Sequence, residues 1–118
     1  MKRAVPTGRF TIEKRDGRLY FFPQGPLGEK GVFFVAEKKG AQFLLHDGGS
    51  IMEASIGDAM EAVDVVRELR FAAKSAGFNF KDGRVFVKVS DSGLEQAVRR
   101  LERLASEVYH KSTVGLGG

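Results

Sequence analysis

The residues best suited to chemistry lie where an apolar run, Phe43-Leu44-Leu45, ends in the polar segment His46-Asp47-Gly48-Gly49-Ser50. A histidine beside an aspartate could serve in acid–base catalysis or bind a metal. Successive residues of a strand point to opposite faces, so His46 and Asp47 cannot easily share a ligand. We therefore predict a structural turn, in which Asp47 accepts hydrogen bonds from nearby backbone N–H groups. Its members are Asp47, Gly48, Gly49 and Ser50.

Other catalytic patterns are incomplete. Gly48-Gly49-Ser50 before a helix could cradle a phosphate, but acidic residues follow it, and neither GxxxxGK[ST] nor GxGxxG occurs. Glu37-Lys38-Lys39 satisfies part of a metal-dependent nuclease pattern, although a hairpin tip explains it better. The chain has no Cys and only two His, which excludes disulfides, thiolate metal sites and cysteine nucleophiles. We therefore predict a protein that is not an enzyme and that uses no cofactor and no metal.

Basic side chains are concentrated at the two ends of the chain. Residues 1–40 carry nine Lys/Arg against four Asp/Glu, residues 41–69 carry one against six, and residues 70–118 carry nine against five. A protein that binds nucleic acid more often carries its cations on one continuous face. Whether the two basic ends meet in space depends on the fold.

Three arginines, Arg99, Arg100 and Arg103, lie close together on the last predicted helix. They could contact phosphates or an acidic protein surface. Alternatively they belong to a solvated face, where Glu95 and Glu102 stand at the helical spacing that permits ion pairs. The sequence leaves both interpretations open.

The ten Phe include two adjacent pairs, Phe21-Phe22 and Phe33-Phe34. In a strand, one member of each pair faces away from any single core. If the helices leave one face of the sheet uncovered, these side chains form an exposed aromatic patch of the kind that marks a partner site. We assign Phe22 and Phe34 to this patch and expect it to bind a protein.

Two hairpins are predicted in the first half of the chain. Residues 9–15 and 18–22 flank Asp16-Gly17, which is a strong hairpin signal. Residues 32–36 and 41–45 form a second pair, and their nearly continuous apolar runs indicate deeper burial. The first half therefore predicts a four-stranded antiparallel meander.

Three helix starts share the pattern of a capping box, an N-cap residue with Glu three positions later. They are Ser50 with Glu53, Asp58 with Glu61, and Ser92 with Glu95. The first begins a short helix, and the others begin long helices over about 58–75 and 93–110. Between the long helices, residues 84–89 alternate as a fifth strand, which could pair with a short segment near 78–80. The order ββββ(α)αβα predicts an α+β fold, an antiparallel sheet of about five strands with two long helices packed on one face.

A single domain is expected over residues 9–112, with a flexible N-terminus at 1–8 and a disordered tail at 113–118. The chain is long enough to bury one core. No apolar segment typical of a secretory signal follows Met1, and no apolar run approaches the roughly 18 residues that span a bilayer. We therefore expect a cytoplasmic protein without membrane contact, in a bacterium or in an infected host cell.

Around the central turn the chain resembles an uncharacterised domain family of bacteria and their phages. The matching features are the strand Phe43 to Leu45, the turn 47–50, the turn Asp82-Gly83 and the helix from Leu94. The resemblance covers residues 9 to about 110 and implies no established activity. It implies a small phage-borne or mobile-element protein, and such proteins often bind and disable a host defence complex, as anti-CRISPR proteins do.

The expected function is that of a non-enzymatic protein that binds another macromolecule. In the leading interpretation it inhibits a host defence complex by protein–protein binding. The alternative is a small nucleic-acid-binding domain that uses basic residues at both ends of the chain. A homodimer is compatible with either interpretation.

Overall fold

The structure is a computed structural model that describes residues 10–56 and 61–114, with side chains through Lys111. Its strands are β1 (Phe10–Arg15), β2 (Arg18–Pro23), β3 (Phe34–Lys39), β4 (Gln42–His46), β5 (Asn79–Lys81) and β6 (Arg84–Ser90). Its helices are α1 (Pro26–Glu29), α2 (Ser50–Ser55), α3 (Ala62–Ser75) and α4 (Leu94–Val114). A 3₁₀ turn at Asp91–Gly93 leads into α4.

The strands form one antiparallel sheet in the spatial order β1-β2-β3-β4-β6-β5. The predicted α+β fold is confirmed, and the sheet has six strands because the short segment near 78–80 does pair as β5. Both Asp-Gly turns join tight hairpins. In each turn the Asp and the Gly have positive φ, 51° and 76° at Asp16-Gly17 and 53° and 80° at Asp82-Gly83, as a type I′ turn requires.

Two helical segments differ from the prediction. The Gly/Pro-rich composition of residues 24–31 predicts a loop. The segment instead contains the short helix α1, because its first residue Pro26 has the fixed φ that suits a first helical turn. The last helix extends to Val114, into the predicted disordered tail, because no glycine or proline interrupts it before Gly115. The predicted cap at Asp58, the N-terminus at 1–8 and the end of the tail lie outside the described residues.

The helices pack on one face of the sheet, and α4 lies at the centre of that layer, in contact with each of the other helices. Its buried residues recur at helical spacing as one stripe: Leu94, Ala97, Val98, Leu101, Leu104, Ala105 and Val108. These residues share a core with Phe21, Phe34 and Leu45 of the sheet. We call the opposite side of the sheet, on which none of the described helices packs, the open face. Within the described part of the chain, no helix is both long and apolar enough to cross a membrane.

Candidate functional site

Asp47 lies immediately after β4 and links three elements. Its Oδ1 accepts hydrogen bonds from the backbone N–H of Gly49 (3.1 Å) and of Val85 (2.9 Å), and its Oδ2 accepts one from Ile51 (3.0 Å). The N–H of Asp47 donates to the Val85 carbonyl at 3.1 Å, which continues the β4–β6 ladder at the point where the chain turns into α2. The bonds from Gly49 and Ile51 are of the kind predicted for Asp47, and the bond from Val85 links distant parts of the chain.

The environment of Asp47 suits a structural role. Its side chain has no exposed surface. Burial raises the pKa of the Asp47 carboxyl above its ordinary value, and the N–H donors of Val85, Ile51 and Gly49 act in the opposite direction. Since three backbone donors already occupy its two oxygens, Asp47 is not placed to contact a ligand.

The rest of the turn differs from the predicted capping box. Gly48 and Gly49 have φ of 61° and 84°, which few other residues adopt without strain. Gly49 is the N-cap of α2, and Ser50 is already helical, so the predicted cap at Ser50 is wrong. The Ser50 hydroxyl instead lies 2.7 Å from the Asp47 carbonyl and 2.9 Å from the Phe33 carbonyl, and it accepts from the Phe33 N–H. Ser50 therefore holds the start of α2 against the start of β3.

His46 lies on the open face, on the other side of the sheet from Asp47. Its Nδ1 accepts a hydrogen bond from the Gly48 N–H at 3.1 Å, and its Nε2 lies 3.1 Å from Glu37 Oε2. Because Nδ1 is an acceptor here, the proton belongs on Nε2, which donates to Glu37. Both ring nitrogens are therefore engaged within the protein.

Glu37 is the acceptor of a small ionic cluster. Its carboxylate lies 3.4 Å from Arg18 Nε and 3.6 Å from Lys39 Nζ. The hydrogen bond from His46 lowers the pKa of Glu37, against the effect of burial, and the charges of Arg18 and Lys39 lower it further. Among the described residues, no group of three or more His, Asp or Glu side chains could hold a metal ion.

We expect Glu37→Gln to weaken the acid dependence of stability. A carboxyl with a lowered folded-state pKa stabilises the fold above its unfolded pKa, and this stabilisation is lost as the pH falls through the folded-state value. The loss should therefore occur below 4.5, the ordinary value for this group, and amount to about 1 kcal/mol or less. Urea unfolding of both proteins from neutral pH downward measures it. The raised pKa of Asp47 changes the free energy of unfolding with pH in the opposite direction, and equally in both proteins. The difference between the two stability–pH profiles therefore reports on Glu37 alone. Identical profiles would contradict the role assigned to Glu37.

The paired phenylalanines divide between the core and the open face. Cross-strand pairing sets Phe21 opposite Phe34, and both are buried on the helix side. Their neighbours Phe22 and Phe33 are partly exposed on the other side. The assignment of Phe34 to an exposed patch is therefore wrong, because the register of β2 and β3 directs it into the core, and Phe33 takes the outward position.

Partly exposed aromatic side chains stand on β2 and on β6, at the two ends of one cross-strand row of the open face. Tyr20 stacks on Phe22 with ring centroids 6.2 Å apart and planes 11° apart, and the guanidinium of Arg15 lies 5.2 Å from the centre of the Tyr20 ring. Cross-strand pairing continues from Tyr20 through Val35 and His46, which are only 3% and 9% exposed, to Phe86. The row ends at Phe86 on β6, next to the edge strand β5.

The open face is also basic. Its charged residues, placed by the register of the strands, are Arg15, Arg18, Lys39, Lys81, Arg84 and Lys88 against Glu13 and Glu37. Arg15 forms an ion pair with Glu13, and Arg18 and Lys39 form ion pairs with Glu37. Within the described residues, Lys81, Arg84 and Lys88 form no ion pair. Arg84, Phe86 and Lys88 are not among the site residues predicted from the sequence, although their alternation along one strand already indicates a shared face.

A shallow pocket of about 440 Å³ adjoins the open face between the end of β2 and the start of β3. Phe22 and Phe33 line it, together with Pro23, Val32 and glycines around α1. Only glycine fits at position 28, because a Cβ there would stand 1.9 Å from the Pro23 carbonyl oxygen. The predicted partner residue Phe22 therefore belongs to an apolar pocket.

The predicted cluster Arg99, Arg100 and Arg103 lies on the helical side of the sheet. Arg99 Nη2 is 3.8 Å from Glu95, and Arg100 lies over the Phe78 ring with its guanidinium carbon 5.5 Å from the ring centre. Arg100 and Arg103 line a groove between α3 and α4. These cations are thus separated from Arg15 and Arg18 by the sheet itself, and these two basic groups do not form one continuous patch.

No protein-family model matches the chain, and no curated protein or solved structure matches it either. The resemblance to a bacterial and phage domain family therefore stays a prediction. Among the described surfaces of this chain, the open face combines partly exposed aromatic rings with cations that form no ion pair.

Proposed function

We propose that this chain is a non-enzymatic binding protein whose open face binds single-stranded nucleic acid. One observation carries the proposal: β6 presents Arg84, Phe86 and Lys88 side by side, with no ion pair to either cation from the described residues. An aromatic ring provides a platform for a base, and flanking cations contact the phosphates on either side.

A second platform on the same face supports the proposal. The stacked pair Tyr20 and Phe22 lies beside Arg15 and Arg18 on β1 and β2. Tyr20 and Phe86 are three strand spacings apart, or about 14 Å at the usual separation of paired strands. A single strand crossing the sheet could therefore stack bases at both platforms. A duplex could not, because its bases already stack on one another.

The polar groups of the face support binding without catalysis. His46 and Glu37 hydrogen-bond to each other, and Asp47 lies on the buried side of the sheet. A general acid or base needs an accessible position within hydrogen-bond reach of the substrate. In this proposal the cluster shapes the surface, and the cations and aromatic rings make the contacts.

The test is fluorescence anisotropy with a labelled single-stranded oligonucleotide over a range of salt concentrations. Phe86→Ala should cost about 1–3 kcal/mol of binding free energy, the usual contribution of one base stack. Arg84→Ala with Lys88→Ala should lower the magnitude of the salt slope by about 1.4, since each phosphate contact with a single strand contributes about 0.7. Binding of a duplex of equal length should be weaker.

The matched control is the triple variant Arg99→Ala, Arg100→Ala and Arg103→Ala, which removes cations from the helical side only. It should retain the salt slope of the wild-type protein. If the control loses binding and the β6 variants do not, the helix is the site, and the open face is excluded. Absence of any retention at low salt would overturn nucleic-acid binding altogether.

A protein partner is the second candidate, and the pocket lined by Phe22 and Phe33 favours it, because an apolar side chain of a partner could enter it. The narrower role, a phage or mobile-element inhibitor that disables a host defence complex in the cytoplasm of a bacterium, rests on the resemblance. Affinity purification followed by mass spectrometry tests it. A true partner should be lost with Phe22→Arg and retained with Phe86→Ala, and equal capture by both variants would contradict a role for the pocket.

A further inference from the structure

Beyond the open face, the helical side carries a second surface, which we call the helix groove. It runs between α3 and α4 with a volume of about 290 Å³. Phe71 stands at its border with 67% of its surface exposed, the largest exposed fraction among the large apolar side chains of the described residues. The small residues Ala72 and Ala76 line the α3 side, and Leu104 and Val108 line the α4 side. An exposed aromatic side chain next to an apolar groove is typical of a docking surface.

The charges of the helix groove are separated along its length. The two helices run antiparallel here, because Lys111 near the end of α4 pairs with Glu68 in the middle of α3 at 3.0 Å, and Arg100 lines the groove together with Ala76. Arg100 and Arg103 make one end basic. Glu107 lies one helical turn beyond Arg103, and at the far end Lys111 is paired with Glu68.

We infer that the helix groove is the interface of a symmetric homodimer, in which Phe71 of each copy packs into the groove of the other. A two-fold axis brings the same patch of both copies together in opposite directions. Arg103 of each copy then meets Glu107 of the other, and Arg100 of each copy faces the Glu68–Lys111 pair of the other. Because the groove carries charges of both signs, the same surface on two copies can form ion pairs across the two-fold axis.

The dimer leaves the open face of each copy accessible, because the sheet separates that face from the helix groove. It therefore gives two nucleic-acid surfaces per particle if the proposed function holds, but it does not depend on that function. The helix groove has a volume of only about 290 Å³, so the interface should be small. The dimer should therefore dissociate on dilution, as small interfaces do.

Sedimentation equilibrium at low ionic strength over a wide range of protein concentrations tests the interface. The wild-type protein should pass from monomer to dimer as its concentration rises. Phe71→Asp should lower the association constant at least about tenfold, since each interface contains the residue twice. Phe86→Asp on the open face is the matched control and should leave association unchanged.

The charge pattern has its own test. Arg103→Glu and Glu107→Arg should each weaken the dimer, because either change sets like charges opposite each other, and the double variant should restore it. Circular dichroism and thermal unfolding confirm that each variant remains folded, as expected for exposed positions. A protein that is monomeric at every concentration, a dimer indifferent to Phe71→Asp, or a series of higher oligomers would overturn the inference.

Discussion

Replacement of Asp47 by alanine is expected to lower the free energy of unfolding by about 3–5 kcal/mol, because buried donors without partners cost about 1–3 kcal/mol each. The substitution removes the acceptor of the N–H groups of Gly49, Ile51 and Val85 together. These groups belong to the turn, to α2 and to β6, so the junction of sheet and helices is weakened as a unit. Urea denaturation monitored by circular dichroism measures the change.

Asp47→Asn gives a sharper version of this prediction. The two donors on Oδ1, Gly49 and Val85, can keep an amide oxygen as their acceptor, whereas the amide nitrogen must face the N–H of Ile51. The loss should be intermediate, about 1–3 kcal/mol for one opposed donor. Asp91→Ala, at an exposed turn, should change stability by no more than about 0.5 kcal/mol. An asparagine variant as unstable as the alanine variant would show that charge, and not hydrogen-bond geometry, dominates at this site.

Phe34→Ala is expected to lower the free energy of unfolding by about 3–5 kcal/mol, as for other phenylalanines removed from a packed core. Phe34 has no exposed surface, and its ring packs edge-on against Phe10 at a centroid distance of 6.2 Å. The cavity left behind would lie between the sheet and the helices, where the surrounding strands cannot collapse into it. Chemical denaturation at neutral pH measures the loss.

The neighbouring residue supplies the control for Phe34. Phe33→Ala removes the same number of atoms from the partly exposed side of the sheet, and we expect a loss of no more than about 1.5 kcal/mol, since less apolar surface leaves water in this position. Equal losses from the two substitutions would contradict the assignment of Phe34 to the core and Phe33 to the outer surface.

The fold class follows from the sequence because its signals are local. Asp-Gly between alternating strands predicts a type I′ hairpin, and the apolar spacing along α4 identifies the buried stripe of that helix. The spacing along α3 was less decisive. Several apolar positions lie side by side around that helix, and packing alone buries Val65, Leu69 and Ala73 while Val63 stays 63% exposed.

The residues that cap the helices differ from those predicted by the local sequence pattern. Ser90, not the predicted Ser92, accepts the hydrogen bond from the Gly93 N–H, because a 3₁₀ turn precedes α4. At α2 the carboxylate of Asp47 takes the place expected of Ser50. Each segment contains more than one residue that could cap a helix, and the path of the preceding strand decides which of them reaches the free N–H groups.

The sequence by itself determined the hairpins, the long helices and the local hydrogen bonds of Asp47 to its own turn, since these depend on neighbouring residues. Only the tertiary structure decided which phenylalanine of each pair is exposed, because that depends on the register between strands. It also decided that Arg84, Phe86 and Lys88 share a face with Tyr20, and that Arg99, Arg100 and Arg103 lie on the other side of the sheet. Surfaces are assembled from residues far apart in the chain. The order of strands in the sheet brings these residues together, and no local sequence pattern predicts that order.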